Sequence, residues 1–378
     1  MKHSQLCHRA GASARFAAGL LVCLLATAAA AALPTGALPA TTHKVVLEKT
    51  GAAYRWKLLE APLPKVGDRQ VLMHVHAVAL NRGDLEILEA GPGPGPDISG
   101  LLVASDGAGE IAAVGREVKG LHTGMRVTST YIQNYLDGAP DADKLSHALG
   151  SSVDGVLAEY VVLDETSVVP MQAGMSFEEA ATLPTAGVTG WMATMGQRQL
   201  GKSDTVLVQG TGGVSVFALQ FAAAAGAHVI VTSSSDEKLA RARKLGASEG
   251  INYRTTPDWS GKLMELTHRR GADVIVDVGG KDTLEQSAKS LAFRGTLSIV
   301  GGLSGYDGQI PAGRLLEKVA RAQGVFVGSR ADYLRMNAFI AAHRLHPVID
   351  RVYPLADYQA ALQQMKSGNF VGKIVLRL

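Results

Sequence analysis

The sequence predicts an α/β protein, with a doubly wound parallel sheet beside a smaller β-barrel. Three observations carry this. The stretch Thr205 to Ser235 reads strand, glycine turn, helix, strand. Strand-like and helix-like segments then alternate as far as Gly328. Before them, Thr41 to Leu163 is a run of short strands punctuated by Gly and Pro.

The first element is the apolar, β-branched run Val206-Leu207-Val208. Gly210, Thr211, Gly212 and Gly213 follow, and then Val214 to Ala225, an apolar segment of helix-forming composition that Gly226 stops. A second apolar run spans His228 to Thr232. Glycines at such a turn let backbone N–H groups approach a pyrophosphate, and the helix N-terminus faces the anion with its dipole. Ser215 stands where a third glycine would complete G-x-G-x-x-G. Serine is small enough for close helix–strand packing.

The end of the second strand points to the cofactor. An NAD site places an acid about 20 residues after the first glycine, on the ribose 2′-OH. Here stand Ser233, Ser234 and Ser235, with Lys238 just beyond. Hydroxyls and a cation suit a 2′-phosphate, so NADP(H) is expected over NAD(H). Ser235 or Asp236 also suits the cap of a helix Glu237 to Leu245.

Six strands are expected in this domain, at 206–209, 229–232, 250–253, 274–278, 296–300 and 325–328. Ligands lie beyond the carboxyl ends of such strands. Tyr253, Val278, Gly301, Gly302 and Ser329 fall there.

The chain has 378 residues, enough for two domains, and 47% are apolar. A net charge of +3, without a dense basic patch interleaved with aromatics, gives nucleic-acid binding little support. Lys2, Arg9 and Arg15 precede the uncharged stretch Phe16 to Ala32, which ends on an A-x-A site after Ala32. This predicts a signal peptide over residues 1–32, export to a periplasm, and no stable membrane insertion once cleaved. A cytoplasmic protein starting near Thr41 is the alternative. Both cysteines, Cys7 and Cys23, lie in this leader, so the mature chain can form no disulfide or thiolate metal site.

In the barrel region, Thr42 to Glu48 and Val71 to Val78 read as strands, and Pro92 to Pro96 as a Gly-Pro loop. His74 and His76 share a strand face, which suits a metal pair or, more simply, a solvent-facing sheet surface. Tyr131 to Ser152 is a long polar loop, either the wall of a pocket or a surface insertion.

The run SDGAGEIAAVGREVKGLHTGMRV (105–127), followed by the glycine turn, resembles the medium-chain dehydrogenase/reductase superfamily. It is most similar to the zinc-independent alcohol dehydrogenase and quinone oxidoreductase branch. Gly155 to Tyr160, AATLPTAGVT (180–189), Ala227 and Val371-Gly372-Lys373-Ile374-Val375 extend the likeness from about Thr42 to Leu378. The resemblance implies a GroES-like catalytic domain over 41–173, a Rossmann cofactor domain over 174–328 and a return segment over 329–378. Zinc ligands of the family match positions near Asn81, Asp106 and Thr185, none of them Cys or His, and the cysteine-rich zinc lobe is missing. No metal is therefore expected.

The resemblance also places Lys238 and Tyr253 on the 2′-phosphate. It puts residues 300–303 and Val327 to Ser329 beside the nicotinamide, with Thr189 nearby. It implies a homodimer joined at the sheet edge near Val325. The substrate expected is a small alcohol/aldehyde, quinone or enone. Hydride delivery leaves an oxyanion that needs hydrogen-bond donors. Asn81 is the leading candidate, Asp84, Tyr131 and Tyr135 are weaker ones, and solvent is an equal alternative as proton source. A binding protein of the same fold without turnover is the rival reading.

Overall fold

The computed structural model describes residues 38–91 and 97–378. The predicted leader and the Gly-Pro loop lie outside the described residues. No described helix is long and apolar enough to cross a membrane.

The cofactor domain is a six-stranded parallel sheet. In spatial order its strands are Glu249–Asn252, His228–Ser233, Thr205–Gln209, Ala272–Asp277, Leu291–Ile299 and Arg321–Gly324. The two central strands, Thr205–Gln209 and Ala272–Asp277, are buried along their whole length. That explains their unbroken apolar runs, since a strand covered on both faces has no polar side to show. Val206 and Val208 pack against Ala218, Leu219 and Ala222 of the helix Gly213–Ala224. Leu207 faces the opposite core with Ile230, Ile275 and Trp259. The strand order reverses between Thr205–Gln209 and Ala272–Asp277, and the crevice at such a reversal receives the ligand.

One predicted strand is displaced. The sixth strand is Arg321–Gly324, and residues 325–328 run past the sheet edge. The apolar run Val325-Phe326-Val327 reads as a strand in sequence. Val327, however, adopts φ +50°, which no strand residue can have.

The catalytic domain is built on a seven-stranded, mainly antiparallel sheet. Its spine is the strand Gln70–Ala79, paired with Asp106–Val114, Tyr160–Asp164 and Lys373–Arg377. A hairpin, Thr41–Thr50 with Ala53–Pro62, covers one side. The chain returns through the helix Arg330–His343, and Val375 then pairs with Ala79. The last strand thus lies beside the end of Gln70–Ala79, where Asn81 follows.

His74 and His76 are half-buried, not solvent-facing. Their rings lie 4.5 Å apart, with His74 stacked on Tyr160 and His76 on Phe177. Burial lowers both pKa values, and no metal-holding group of three acidic, His or Cys side chains occurs among the described residues. The 131–152 loop docks on the helix Arg330–His343, where the N–H groups of Arg330 and Ala331 donate to the carbonyls of Tyr135 and Leu136.

Strand pairing at Gly109 tolerates no side chain, because a Cβ there would collide with the His74 carbonyl oxygen. Gly109→Ala is expected to lower unfolding free energy by at least about 2 kcal/mol in urea titrations. An unchanged midpoint would contradict this packing.

Candidate active site

Gly210 has φ +74°, a backbone that glycine adopts without strain. It turns the chain out of the strand so that Gly212 caps and Gly213 begins the helix Gly213–Ala224. Ser215, at the third-glycine position, is buried and donates its hydroxyl to the Gln209 carbonyl at 2.7 Å. The serine therefore reinforces the turn. Gln209 is held in turn by Asp277 and Ser287, which fixes the floor between the two central strands. Thr211, Gly212, Gly213 and Val214 line the turn, while Val278, Gly301 and Gly302 end the neighbouring strands across the crevice. The exposed N–H groups of this turn fit a dinucleotide pyrophosphate.

At the adenosine end, Ser233 is buried at the strand terminus and accepts the Tyr253 N–H with its carbonyl. Ser235 caps the helix Asp236–Lys244 by accepting the Lys238 N–H. The Lys238 ammonium reaches across to the Gly368 carbonyl at 2.6 Å. Burial, and then the Arg254 guanidinium nearby, hold its pKa below the usual lysine range. Arg254, adjacent to Tyr253, is a second cation that the sequence reading did not name. Asp350 and then Glu237 are the carboxylates that act on Lys238, while Asp236 accepts from Asn252.

At the nicotinamide end, Thr189 is buried in the helix Val188–Ala193. Val327 keeps its strained φ of +50° there, and the Ser329 hydroxyl is spent on Asp332 at 2.6 Å. Ser329 thus serves as a helix cap; its N–H also donates to Asp332 and its carbonyl accepts from Tyr333, so the buried residue has no polar group left for the cofactor contact expected of it.

The catalytic candidates divide. Asn81 donates its N–H to Asp84, and Tyr131 lies within reach of the Asp84 and Asp106 charges, whereas the Tyr135 hydroxyl is bonded to the Gly138 carbonyl. The Asn81 amide nitrogen lies 3.4 Å from Ser105 Oγ, which donates to Asp106 at 2.7 Å. Thr185 donates its hydroxyl to Asp106 at 2.5 Å and its N–H at 3.1 Å. The Asn81 oxygen accepts the ammonium of Lys373 at 2.6 Å. Ser105 and Lys373 were not read as site residues from sequence. A lysine inside the apolar run Lys373–Leu376 was the available signal, since a charge there must be either buried or at an edge.

These groups do not suit zinc. Asp106 already receives three donors, Asn81 and Thr185 offer only amide and hydroxyl groups, and a buried ammonium stands beside them. Zinc favours thiolate and imidazole.

Three ionisable groups share the pocket. Lys373 is the cation facing both Asp106 and Asp84, and its attraction for Asp84 is outweighed by burial. Burial, with the Asp106 charge adding to it, pushes the Asp84 carboxyl up to about 7, against the lowering effect of the Asn81 N–H it accepts at 2.7 Å. Burial likewise pushes the Tyr131 phenol up, so it stays protonated at neutral pH. Tyr131 also packs against Phe326, with ring centroids 5.9 Å apart.

The family model described as "Zinc-binding dehydrogenase" matches residues 213–342, and "Alcohol dehydrogenase GroES-like domain" matches residues 67–173. A zinc-type alcohol dehydrogenase-like protein of Schizosaccharomyces pombe is 41% identical, over 83% of this chain and 92% of its own. The chain belongs to the medium-chain dehydrogenase/reductase superfamily. A quinone oxidoreductase of Pseudomonas aeruginosa is 34% identical over 67% of this chain and 71% of its own. A crystal structure assigned as an alcohol dehydrogenase of Sinorhizobium meliloti 1021 superposes with a TM-score of 0.85. It is 38% identical and covers 90% of this chain and all of that one. Like its relatives, this medium-chain dehydrogenase/reductase is an oxidoreductase that uses a nicotinamide cofactor.

The shifted Asp84 has a consequence for stability. Its folded pKa lies above its ordinary value of 3.8, so ionisation opposes folding. Its contribution is most favourable below about pH 4, declines towards pH 7 and is flat above. Asp84→Asn should therefore gain on the parent by a few kcal/mol, roughly, between pH 5 and pH 8 in urea titrations. Parallel curves at the two pH values would contradict the buried neutral acid.

Proposed function

We propose that this oxidoreductase is NADPH-preferring and reduces activated oxo acceptors, quinones, enones or aldehydes, without zinc. The observation that carries the reading is the hydrogen-bonded cluster of Asn81, Ser105, Asp106, Thr185 and Lys373, in which Asn81, Asp106 and Thr185 lie near the positions that the family resemblance matches to zinc ligands. It is closed by its own hydrogen bonds and offers a donor in place of a Lewis acid. The cofactor would be held by the turn Gly210 to Val214, by Ser233, Ser234, Lys238, Tyr253 and Arg254 at the 2′-phosphate, and by Thr189, Val278, Gly301, Gly302 and Val327 at the ring. When bound it supplies the hydride.

The chain's own residues do the rest. Asn81 donates to the substrate oxygen and to the negative charge that develops on it. Tyr131, kept protonated by burial, stands close enough to the pocket to supply a proton, with solvent as the other source. The likeness to the Pseudomonas quinone oxidoreductase supports quinones among the acceptors. We further propose a homodimer joined through the open edge strand Arg321–Gly324. Exposed Leu316, Val319 and Phe326, which flank that edge, support it.

NADPH and NADH oxidation against a panel of quinones, enones and aldehydes tests the reading. Turnover that prefers NADPH is expected. Tight NADPH binding without turnover on any acceptor would instead support a dinucleotide-binding protein. Loss of one charged phosphate contact costs about 1.5–3 kcal/mol. Lys238→Ala should thus weaken NADPH binding roughly 10- to 100-fold and leave NADH within about twofold. Equal weakening of both would remove Lys238 from the 2′-phosphate.

A further inference from the structure

Lys373 joins two parts of the molecule that the reaction needs in register. It opens the strand Lys373–Arg377 of the catalytic domain and is fully buried. Its ammonium donates to the Leu80 carbonyl and to Asn81 Oδ1, each at 2.6 Å. Its stem lies on the glycine turn, with Cδ only 2.5 Å from where a Cβ on Gly213 would sit. The preceding Gly372 donates its N–H to the Thr211 carbonyl at 2.9 Å. The Gly372–Lys373 dipeptide therefore touches the pyrophosphate turn through Thr211 and Gly213, and the catalytic candidate through Asn81.

An ammonium has three donors and no acceptor, so the amide face turned towards it must be the oxygen. The Asn81 NH2 is thereby forced to the opposite side, where it reaches Ser105 Oγ. Polarisation by the ammonium also strengthens that NH2 as a donor. A flipped amide would present its oxygen to a developing oxyanion and oppose it.

We propose that Lys373 is a positioning residue: it locks the Asn81 amide with its NH2 towards the substrate oxygen and holds that amide in register with the cofactor turn. The kinetic part of this proposal rests on the reductase reading above. The orienting part does not.

The test uses Lys373→Met in the full chain, because methionine keeps the stem on Gly213 and removes only the charge. Single-turnover hydride transfer from NADPH to a quinone should slow by at least about tenfold, the scale of losing one oriented oxyanion donor. NADPH affinity should stay within about threefold, since the turn keeps its packing. A crystal structure of the variant should show the Asn81 amide rotated off Ser105. An unchanged rate would overturn the proposal. So would an affinity loss equal to the rate loss with Asn81 unmoved, because the lysine would then serve the dinucleotide alone.

If Lys373→Met fails to fold, Asn81→Asp takes its place. It keeps a partner for the ammonium but has no donor, so it should fold and lose at least about tenfold in rate. Retained rate there would overturn the proposal. A parent chain inert towards every acceptor would sink the reductase reading, while the paired crystal structures still decide whether Lys373 orients Asn81.

Discussion

The structure depends on the contact between Gly372–Lys373 and the glycine turn. The last strand belongs to the catalytic domain through its pairing with Gln70–Ala79, yet its first residues bond to Thr211 and lie over Gly213. Gly372 can be there only as glycine, since it holds φ +92° and a Cβ would collide with the Val348 carbonyl. At this seam, and through the apolar core in which Ala77, Ala79 and Val375 meet Phe217 and Phe221, the barrel and the doubly wound sheet share a wall. Asn81 and the glycine turn then sit on either side of a single buried lysine.

Burying an ammonium is costly unless its charge and its hydrogen bonds are met. Lys373 meets its hydrogen bonds with Leu80 and Asn81 and its charge with Asp106, while Asp106 is saturated by Ser105 and Thr185. The second carboxyl, Asp84, is left to hold its proton near neutrality. The pocket is thus close to neutral overall but strongly dipolar. Such an arrangement can stabilise charge on a substrate oxygen with little rearrangement.

Much of this was legible in the sequence, for definite reasons. The turn at Gly210 to Val214 announces itself because its glycines stand between a β-branched run and an Ala-rich helix, with a second apolar run beyond. The cap formed by Asn81 and Asp84 was visible as a polar exit from a strand, though only the family likeness singled Asn81 out. What was hidden depends on long-range pairing. Nothing local says that Lys373 meets Asn81 across 292 residues, or that Ser105 bridges Asn81 to Asp106. The strand expected at 325–328 failed because the positive φ of Val327 is set by its packing, whereas its side chain favours extended structure. Tyr135 was misjudged because a hydroxyl's partner, here the Gly138 carbonyl, cannot be seen in a polar loop.

Members of this superfamily that bind zinc polarise the substrate oxygen with a metal ion; in the mechanism proposed above, the Asn81 amide, held by the Lys373 ammonium, takes that role. The direct test is to measure zinc content and NADPH-dependent turnover together on the same preparations, before and after chelation and after zinc is added back. Full turnover at far less than one zinc per chain, unchanged by either treatment, is the predicted result. Turnover that rises and falls with bound zinc would contradict the account.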